Sequence, residues 1–362
     1  MQIDFHHAVV YILSRLAGFE HDEGVVIAYA SQYVDDATNR GTIVFQDNHR
    51  YAHIASAHEI FDLDNNCNDN ENSQVWVPFH FLPGNNGAPA GAALDLPLGR
   101  RLVAFPDSPV ANDLWKACLG ARGRSNFLHR LGITTHTYAD TWAHQRFAGI
   151  RNRVNKATDI WHDHQGVWDS MEGRIISETM MLGHSAVLEH PDMPFLKWSY
   201  KAADGTIVER DNPSEFLVAA RRIFEWFSYL RDVADPKLNP ADEEVLQDSL
   251  RDFNDVNANQ RHGQWIGLLK QGAFSFGALA DKQVQDLGYA AKGPGSWKYK
   301  ALGTKNGMDD PKERFPYSQI FEQSDWKKFH DALTDQQWLI VHEILPKYQL
   351  PMTEEVIQAA AA

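Results

Sequence analysis

The stretch from His129 to His144, HRLGITTHTYADTWAH, sets three imidazoles and one carboxylate at intervals of seven, four and four residues. At about 100° per residue, those intervals keep His129, His136, Asp140 and His144 within one stripe of a helix. Such a stripe makes a poor core and a good ligand set. Zinc takes neutral imidazole and carboxylate at about 2.0–2.2 Å, and an aspartate can bridge two ions. A single His–Asp pair on a helix is usually structural, with Asp140 paired to Arg146 or His144. A further aligned donor shifts the balance toward metal. His136, Asp140 and His144 therefore carry the expectation, and His129 is assigned to packing or to support of the ligands.

Partners for the stripe occur in four places. DFHH at 4–7 brings Asp4, His6 and His7. Asp4 also suits a helix cap, and adjacent histidines cannot both face one partner. Asp35 and Asp36 end a predicted helix, where the macrodipole disfavours carboxylates, so they are either solvated or held by a cation. His49, His53, His58 and His80 compete for one slot. His58 is preferred, because its stretch reads as one or two helical turns. His184 is flanked by Gly183 and Ser185, small residues that let an imidazole approach a second helix closely. Glu189, His190 and Asp192 follow it as sources of a carboxylate or of support for a ligand.

The elements that must position these residues are mostly helical. Spacing predicts helices over about 5–17, 24–37, 108–120, 123–148 and 168–190, then near 213–233, 241–256, 260–271, 324–333 and 335–346. Between them, 39–50 reads as a hairpin arm or loop, and VWVPFHF as strand-like before a Gly- and Pro-rich coil. An irregular stretch of that length is more often functional than idle. NRVNKATDIWHDHQGVW reads as a polar connection, and KWSYKAADGTIVER as a hairpin turning at Asp204-Gly205. No repeat or linker divides the chain. One α-helical domain is expected, its metal-site core over about 4–192 and helical additions over about 210–362.

Composition narrows the function. The 362 residues, 43% hydrophobic and 23% charged, suffice to bury a core. A net charge of −14 repels nucleic-acid backbones and anionic lipid surfaces, so general nucleic-acid binding is not expected. A phosphoester held by bound cations remains compatible with that charge. Cys67 and Cys118 are the only cysteines, which excludes a disulfide framework and a cysteine-based zinc motif. No basic leader precedes the first apolar run, which Arg15 interrupts, and no apolar run approaches the roughly 20 residues a bilayer requires. A cytoplasmic protein without a transmembrane segment is expected.

The order of the candidates is an early His, an Asp, a His, a His-xxx-Asp pair, a His and a late His. That order resembles the zinc-dependent phospholipase C and single-strand-specific zinc nuclease superfamily. The resemblance implies an all-α fold, here a multi-helix bundle with a long irregular insertion and additional C-terminal helices. It also implies a trinuclear zinc cluster that hydrolyses phosphoesters. Asp140 would be the bridging carboxylate beside His136, His144 the next ligand and His184 the late one. The early ligands would be His6 or His7, Asp35 or Asp36, and His58. Two features depart from that pattern. Those chains begin with a Trp whose free amine binds zinc, whereas this one begins at Met1, so either Asp4 is the substitute donor or the third metal is missing. They also carry a Glu four residues after the late His, where Leu188 stands here. QYVDDATN, VPFHFLPGN and HTYADTWAHQ are similar to stretches of an uncharacterised bacterial family.

The expected function is hydrolysis of a small-molecule or lipid phosphoester by water activated at two or three zinc or similar divalent ions. Asp35 or Asp36 would orient that water. Trp76, Phe79, Phe81, Trp142 and Trp161 would wall the site or pack the core. Two other readings stand beside this one. A His-Asp-type helical phosphohydrolase would use His21-Asp22, His162-Asp163 or His330-Asp331, and requires the dyad inside a helix. A non-enzymatic metal-binding helical protein would show closed coordination.

Overall fold

The computed structural model describes residues 1–59, 62–164, 181–310 and 312–353. The chain opens in a π-helical turn, Asp4–Val9, that runs without a break into helix α1 (Val10–Leu16). Phe5, Ala8, Val9, Ile12 and Leu13 are all buried, which roots the N-terminus in the core. Glu23 accepts the Glu20 N–H at 2.8 Å and so starts α2 (His21–Asp36). Ser108 caps α3 (Pro109–Gly120) by accepting the Ala111 N–H at 3.1 Å. The stripe lies on α4 (Phe127–Ala143), whose residues from His129 to Ala143 are all buried.

A helix buried on every side needs a partner on every side. α2 crosses α4 so closely that a Cβ on Gly132 would meet Ile27 O at 2.5 Å and Ala30 Cβ at 2.6 Å. Only glycine tolerates that approach. α3 and α5 (Asn212–Leu230) cover a second side with Trp115, Phe216, Ile223 and Phe227. After α6 (Pro240–Asp252), α7 (Ala258–Gln271) packs on the N-terminal π turn. α8 (Asp325–Leu339) covers the remaining side of α4. There Thr134 donates to Gln336 Oε1 and Gln336 Nε2 donates to Thr137 Oγ1, both at 3.0 Å.

The fold is not all-α. Helix accounts for 53% and strand for 10%, a mixed α/β arrangement in which helix dominates. β1 (Gly41–Val44) and β2 (Arg50–His53) form an antiparallel hairpin. β3 (Ala157–His162), β4 (Lys197–Ala202) and β5 (Ile207–Asp211) form an antiparallel sheet in the order β3-β4-β5. β4 and β5 are the hairpin expected at Asp204-Gly205. β3 comes from the segment read as a polar connection, because it is an edge strand with a bulge between Thr158 and Trp161. Its alternation is broken there, so the period that would reveal a strand is lost.

Three local expectations are also corrected. VWVPFHF is not a strand: Trp76–Phe79 forms a helical turn that ends at His80. The stretch 53–59 is not helical but leaves β2 as irregular chain. Of the helix expected over 168–190, residues 168–180 lie outside the described residues. From 181 to 190 the chain forms short 3₁₀ turns, with positive φ at Met181, Gly183 and Leu188. Among the described residues no helix is long and apolar enough to cross a membrane.

Candidate metal centre

Eight side chains converge below the end of α4: His6, Asp35, His80, His136, Asp140, His144, His184 and Asp192. Asp140 is the hub, because its two oxygens face different groups. Oδ1 lies 2.6 Å from the α-amine of Met1 and 3.1 Å from His6 Nε2. Oδ2 lies 3.2 Å from His80 Nδ1 and 3.2 Å from His136 Nε2. Asp35 Oδ1 stands 3.7 Å from each of those two ring nitrogens, which are 3.2 Å apart. Beyond them, Asp192 Oδ1 is 2.9 Å from His144 Nε2 and 2.9 Å from the α-amine. Asp192 Oδ2 is 3.3 Å from His184 Nε2.

Backbone carbonyls decide which nitrogen of each ring faces inward. His136 Nδ1 donates to Ser31 O at 2.8 Å, and His80 Nε2 to Ser56 O at 3.1 Å. His144 Nδ1 donates to His80 O and His184 Nδ1 to Leu188 O, both at 2.7 Å. A neutral imidazole has one N–H, so a ring that gives it to a carbonyl turns a lone pair the other way. His80 Nδ1 and His136 Nε2 thus aim lone pairs at one another, with oxygens of Asp140 and Asp35 beside them. Four acceptors without a donor repel unless a cation sits among them. Donors about 2.1 Å from a tetrahedral ion stand about 3.4 Å apart. The measured separations are 3.2 and 3.7 Å. The donor set fits a divalent metal.

Two further groups adjoin the first. His6 Nε2, Asp140 Oδ1 and the α-amine form one, and His144, His184 and Asp192 the other. His136 serves only one group, since its Nδ1 is taken. Asp140 serves two through its separate oxygens.

The electrostatics of the four rings match this assignment. Burial, then the α-amine, lowers His6 to about 4. Burial lowers His184 to about 4 and puts His80 and His136 below the ordinary range. Neutral rings are what a metal requires. Burial opposes ionisation of Asp140, but His144, the α-amine and His136 outweigh it and hold the carboxyl well below its usual range. Burial likewise opposes the charge on Met1, yet Asp140, Asp192 and Asp35 push its amine up to about 11. Burial, then Asp140, drives the Asp35 carboxyl well above its usual range. Three carboxylates around one ammonium are short of positive charge, and bound cations would supply it.

Of the residues singled out in the sequence, the structure brings together His6, Asp35, His80, His136, Asp140, His144, His184 and Asp192. It places the others elsewhere. His7, about 100° round the turn from His6, puts Nδ1 3.0 Å from His262 Nε2. Asp4 does not stand in for the amine, because Arg261 Nε donates to its Oδ2 at 2.5 Å. Asp36 turns away from the centre and accepts from Tyr289 Oη at 2.5 Å and Gln32 Nε2 at 3.1 Å. His58 packs beside Trp76, its ring centre 6.0 Å away, and His80 takes the position in the centre. His129 lies 3.0 Å from Asp325 Oδ1.

His80 was weighed against His58, but the strand-like reading of its segment hid the turn that presents it. Asp192 and the α-amine carried no periodic signal. Among the dyads, His330-Asp331 lies inside α8, yet its members diverge. His330 faces His53, while Asp331 accepts from Tyr51 and Lys327.

Access is uneven. The Asp35 side chain is 31% exposed and His184 20%, whereas His6 and His136 are sealed. The His144 flank is closed by Phe81, stacked on its ring at 4.6 Å.

The chain belongs to a family of unknown function, DUF6765, whose model matches residues 1–344. No curated protein matches it, and no solved structure does.

Proposed function

We propose that this member of the DUF6765 family is a metal-dependent hydrolase of phosphoesters, holding two or three zinc or similar divalent ions around Asp140. The observation that carries the reading is the opposition of lone pairs at His80 Nδ1 and His136 Nε2, 3.2 Å apart beside two carboxylates. One ion would be held by Asp35, His80, His136 and Asp140, a second by His144, His184 and Asp192. A third would be held by His6, Asp140 and the Met1 amine, which would have to give up its proton to the incoming ion. The order of ligands that resembles the phospholipase C and zinc nuclease superfamily supports the same reading, with Asp192 in the role of the carboxylate absent at Leu188.

Bound divalent ions supply a water of near-neutral pKa and neutralise charge on phosphoester oxygens. The chain's own residues do the rest. Asp35, at the open edge, can take a proton from an attacking water at Oδ2, since Oδ1 faces the metal, and release it to solvent. Gln32 Nε2 lies 3.3 Å from Asp35 Oδ2 and 3.1 Å from Asp36 Oδ2, which leaves Asp35 Oδ1 turned to the centre. Tyr289 holds Asp36 in turn, so Asp36 positions Asp35 rather than touching the centre. Trp76, 5.1 Å from the His80 ring, and Phe81 keep water off the inner flank.

The group of His144, His184 and Asp192 supplies three donors and so leaves a position for water, which favours catalysis over metal storage, which needs closed coordination. A small-molecule or lipid phosphoester is the expected substrate, and a cytoplasmic site of action accords with the two free thiols of Cys67 and Cys118. The test is hydrolysis of a panel of phosphomonoesters and phosphodiesters by protein of known metal content. Cleavage abolished by a chelator and restored by zinc supports the proposal. Fully loaded protein that cleaves none of the panel contradicts it.

A further inference from the structure

We infer that Arg261 is a positioning residue for the centre, gripping the N-terminal turn from outside so that His6 and the Met1 amine meet Asp140. The assignment rests on the metal reading above. Arg261 lies on α7, far from the stripe in sequence, and its side chain and that of Asp4 are both 0% exposed. Its Nε donates to Asp4 Oδ2 at 2.5 Å, its Nη2 donates to Gln2 Oε1, and its Nη1 donates to Asp255 O at 2.5 Å. The guanidinium also lies over the Phe195 ring, 5.4 Å from its centre.

One side chain thus holds residues 2 and 4, with Met1 just before them and His6 just after. A planar fork can engage two acceptors in fixed directions, which a lysine ammonium cannot. A buried ion pair adds little net stability but can fix register, and here the register in question is that of the N-terminal turn. The next residue continues the contact, with His262 Nε2 3.0 Å from His7 Nδ1. The first and second donor groups depend on α2, α4, the turn ending at His80 and the chain from His184 to Asp192. Neither takes a ligand from the turn that Arg261 holds. Loss of Arg261 should therefore act first on the third group, the only one that takes donors from that turn.

The experiment counts cobalt equivalents retained by metal-substituted protein after dialysis, together with the visible cobalt spectrum and far-UV circular dichroism. Wild-type protein should retain three equivalents. Arg261→Met should retain two, with helicity intact. The double variant Asp4→Asn/Arg261→Met removes both charges, leaves no unpaired buried carboxylate, and should also retain two. Arg261→Lys should keep the third equivalent with affinity weakened by about tenfold, the scale of losses seen for residues that orient ligands.

Three equivalents at unchanged affinity in both Met variants would overturn the assignment while leaving the metal reading intact. Loss of all metal together with helicity in both would also overturn it, making the pair merely structural. A wild-type protein with fewer than three equivalents overturns the assignment and, at none, the metal reading as well.

Discussion

The Met1 α-amine and the Asp140 carboxylate meet at 2.6 Å across 139 residues of sequence. The same amine lies 2.9 Å from Asp192, so one cation ties the middle of α4 to the loop that carries His184. Asp140 in turn faces His6 through one oxygen and His80 and His136 through the other. That sharing makes Asp140 the residue on which the account depends most.

Asp140→Asn should abolish loading at the two positions that Asp140 shares, leaving at most the ion at His144, His184 and Asp192, with helicity nearly unchanged. An amide keeps the shape but loses the charge, and one of its two atoms becomes a donor facing acceptors. Residues that merely orient ligands cost about 10–100-fold in affinity, so a shared direct ligand should cost at least that much. Metal titration with a competing chelator measures it, and unchanged affinity would make Asp140 structural.

Gly132→Ala should destabilise the protein by about 1–3 kcal/mol, the usual cost of overpacking. The added methyl would press on Ile27 O, Ala30 Cβ and, at 2.9 Å, Ser31 N. Since Ser31 O holds His136 Nδ1, metal affinity should fall with stability. Denaturant midpoints and metal competition would check both effects. Wild-type values would mean that α2 and α4 can part freely.

The metal-free protein should lose stability as pH falls from about 6.5 toward 4. His6 and His184 titrate near 4 in the folded chain, against about 6.5 when unfolded. In that window the unfolded chain binds protons at these rings that the folded chain refuses, so unfolding becomes easier as pH drops, by at most about 3 kcal/mol per ring, an effect that the raised Asp35 carboxyl offsets only in part. Above 6.5 these two rings contribute no slope. Denaturation in chelator at several pH values tests this, and a flat profile from 6.5 to 4 would contradict it.

Tyr289→Phe should lower the rate of phosphoester cleavage without changing metal content. The hydroxyl donates to Asp36, which shares Gln32 with Asp35. Loss of it should loosen Asp35 and leave the other ligands in place. Equal loss of metal and activity would instead make Asp36 part of the binding site.

How far the sequence could be read depended on periodicity. His136, Asp140 and His144 were legible because a long helix converts spacing directly into direction. His6 against His7, and Asp35 against Asp36, stayed open, since adjacent residues point about 100° apart and only the neighbouring elements settle the choice. His80 was obscured because the helical turn at Trp76–Phe79 is four residues long, too short to show a period. Asp192 sits in 3₁₀ turns, and the Met1 amine is not a side chain at all, so neither left a pattern to find.

The fold divides along the same line. The long helices, from α2 to α8, announced themselves through apolar spacing and caps. The β4–β5 hairpin did so through Asp204-Gly205. β3 did not, because its bulge and its exposed edge erase the alternation. Arg261 was equally hidden, as a contact between residues 257 positions apart has no local trace.

Elemental analysis of the purified protein tests the central claim most directly. The account predicts two or three equivalents of zinc or a similar divalent ion per chain, removed by a strong chelator and regained on dialysis against the metal. Less than about one equivalent per chain, after refolding or growth with metal in excess, would contradict a multi-metal centre at Asp140.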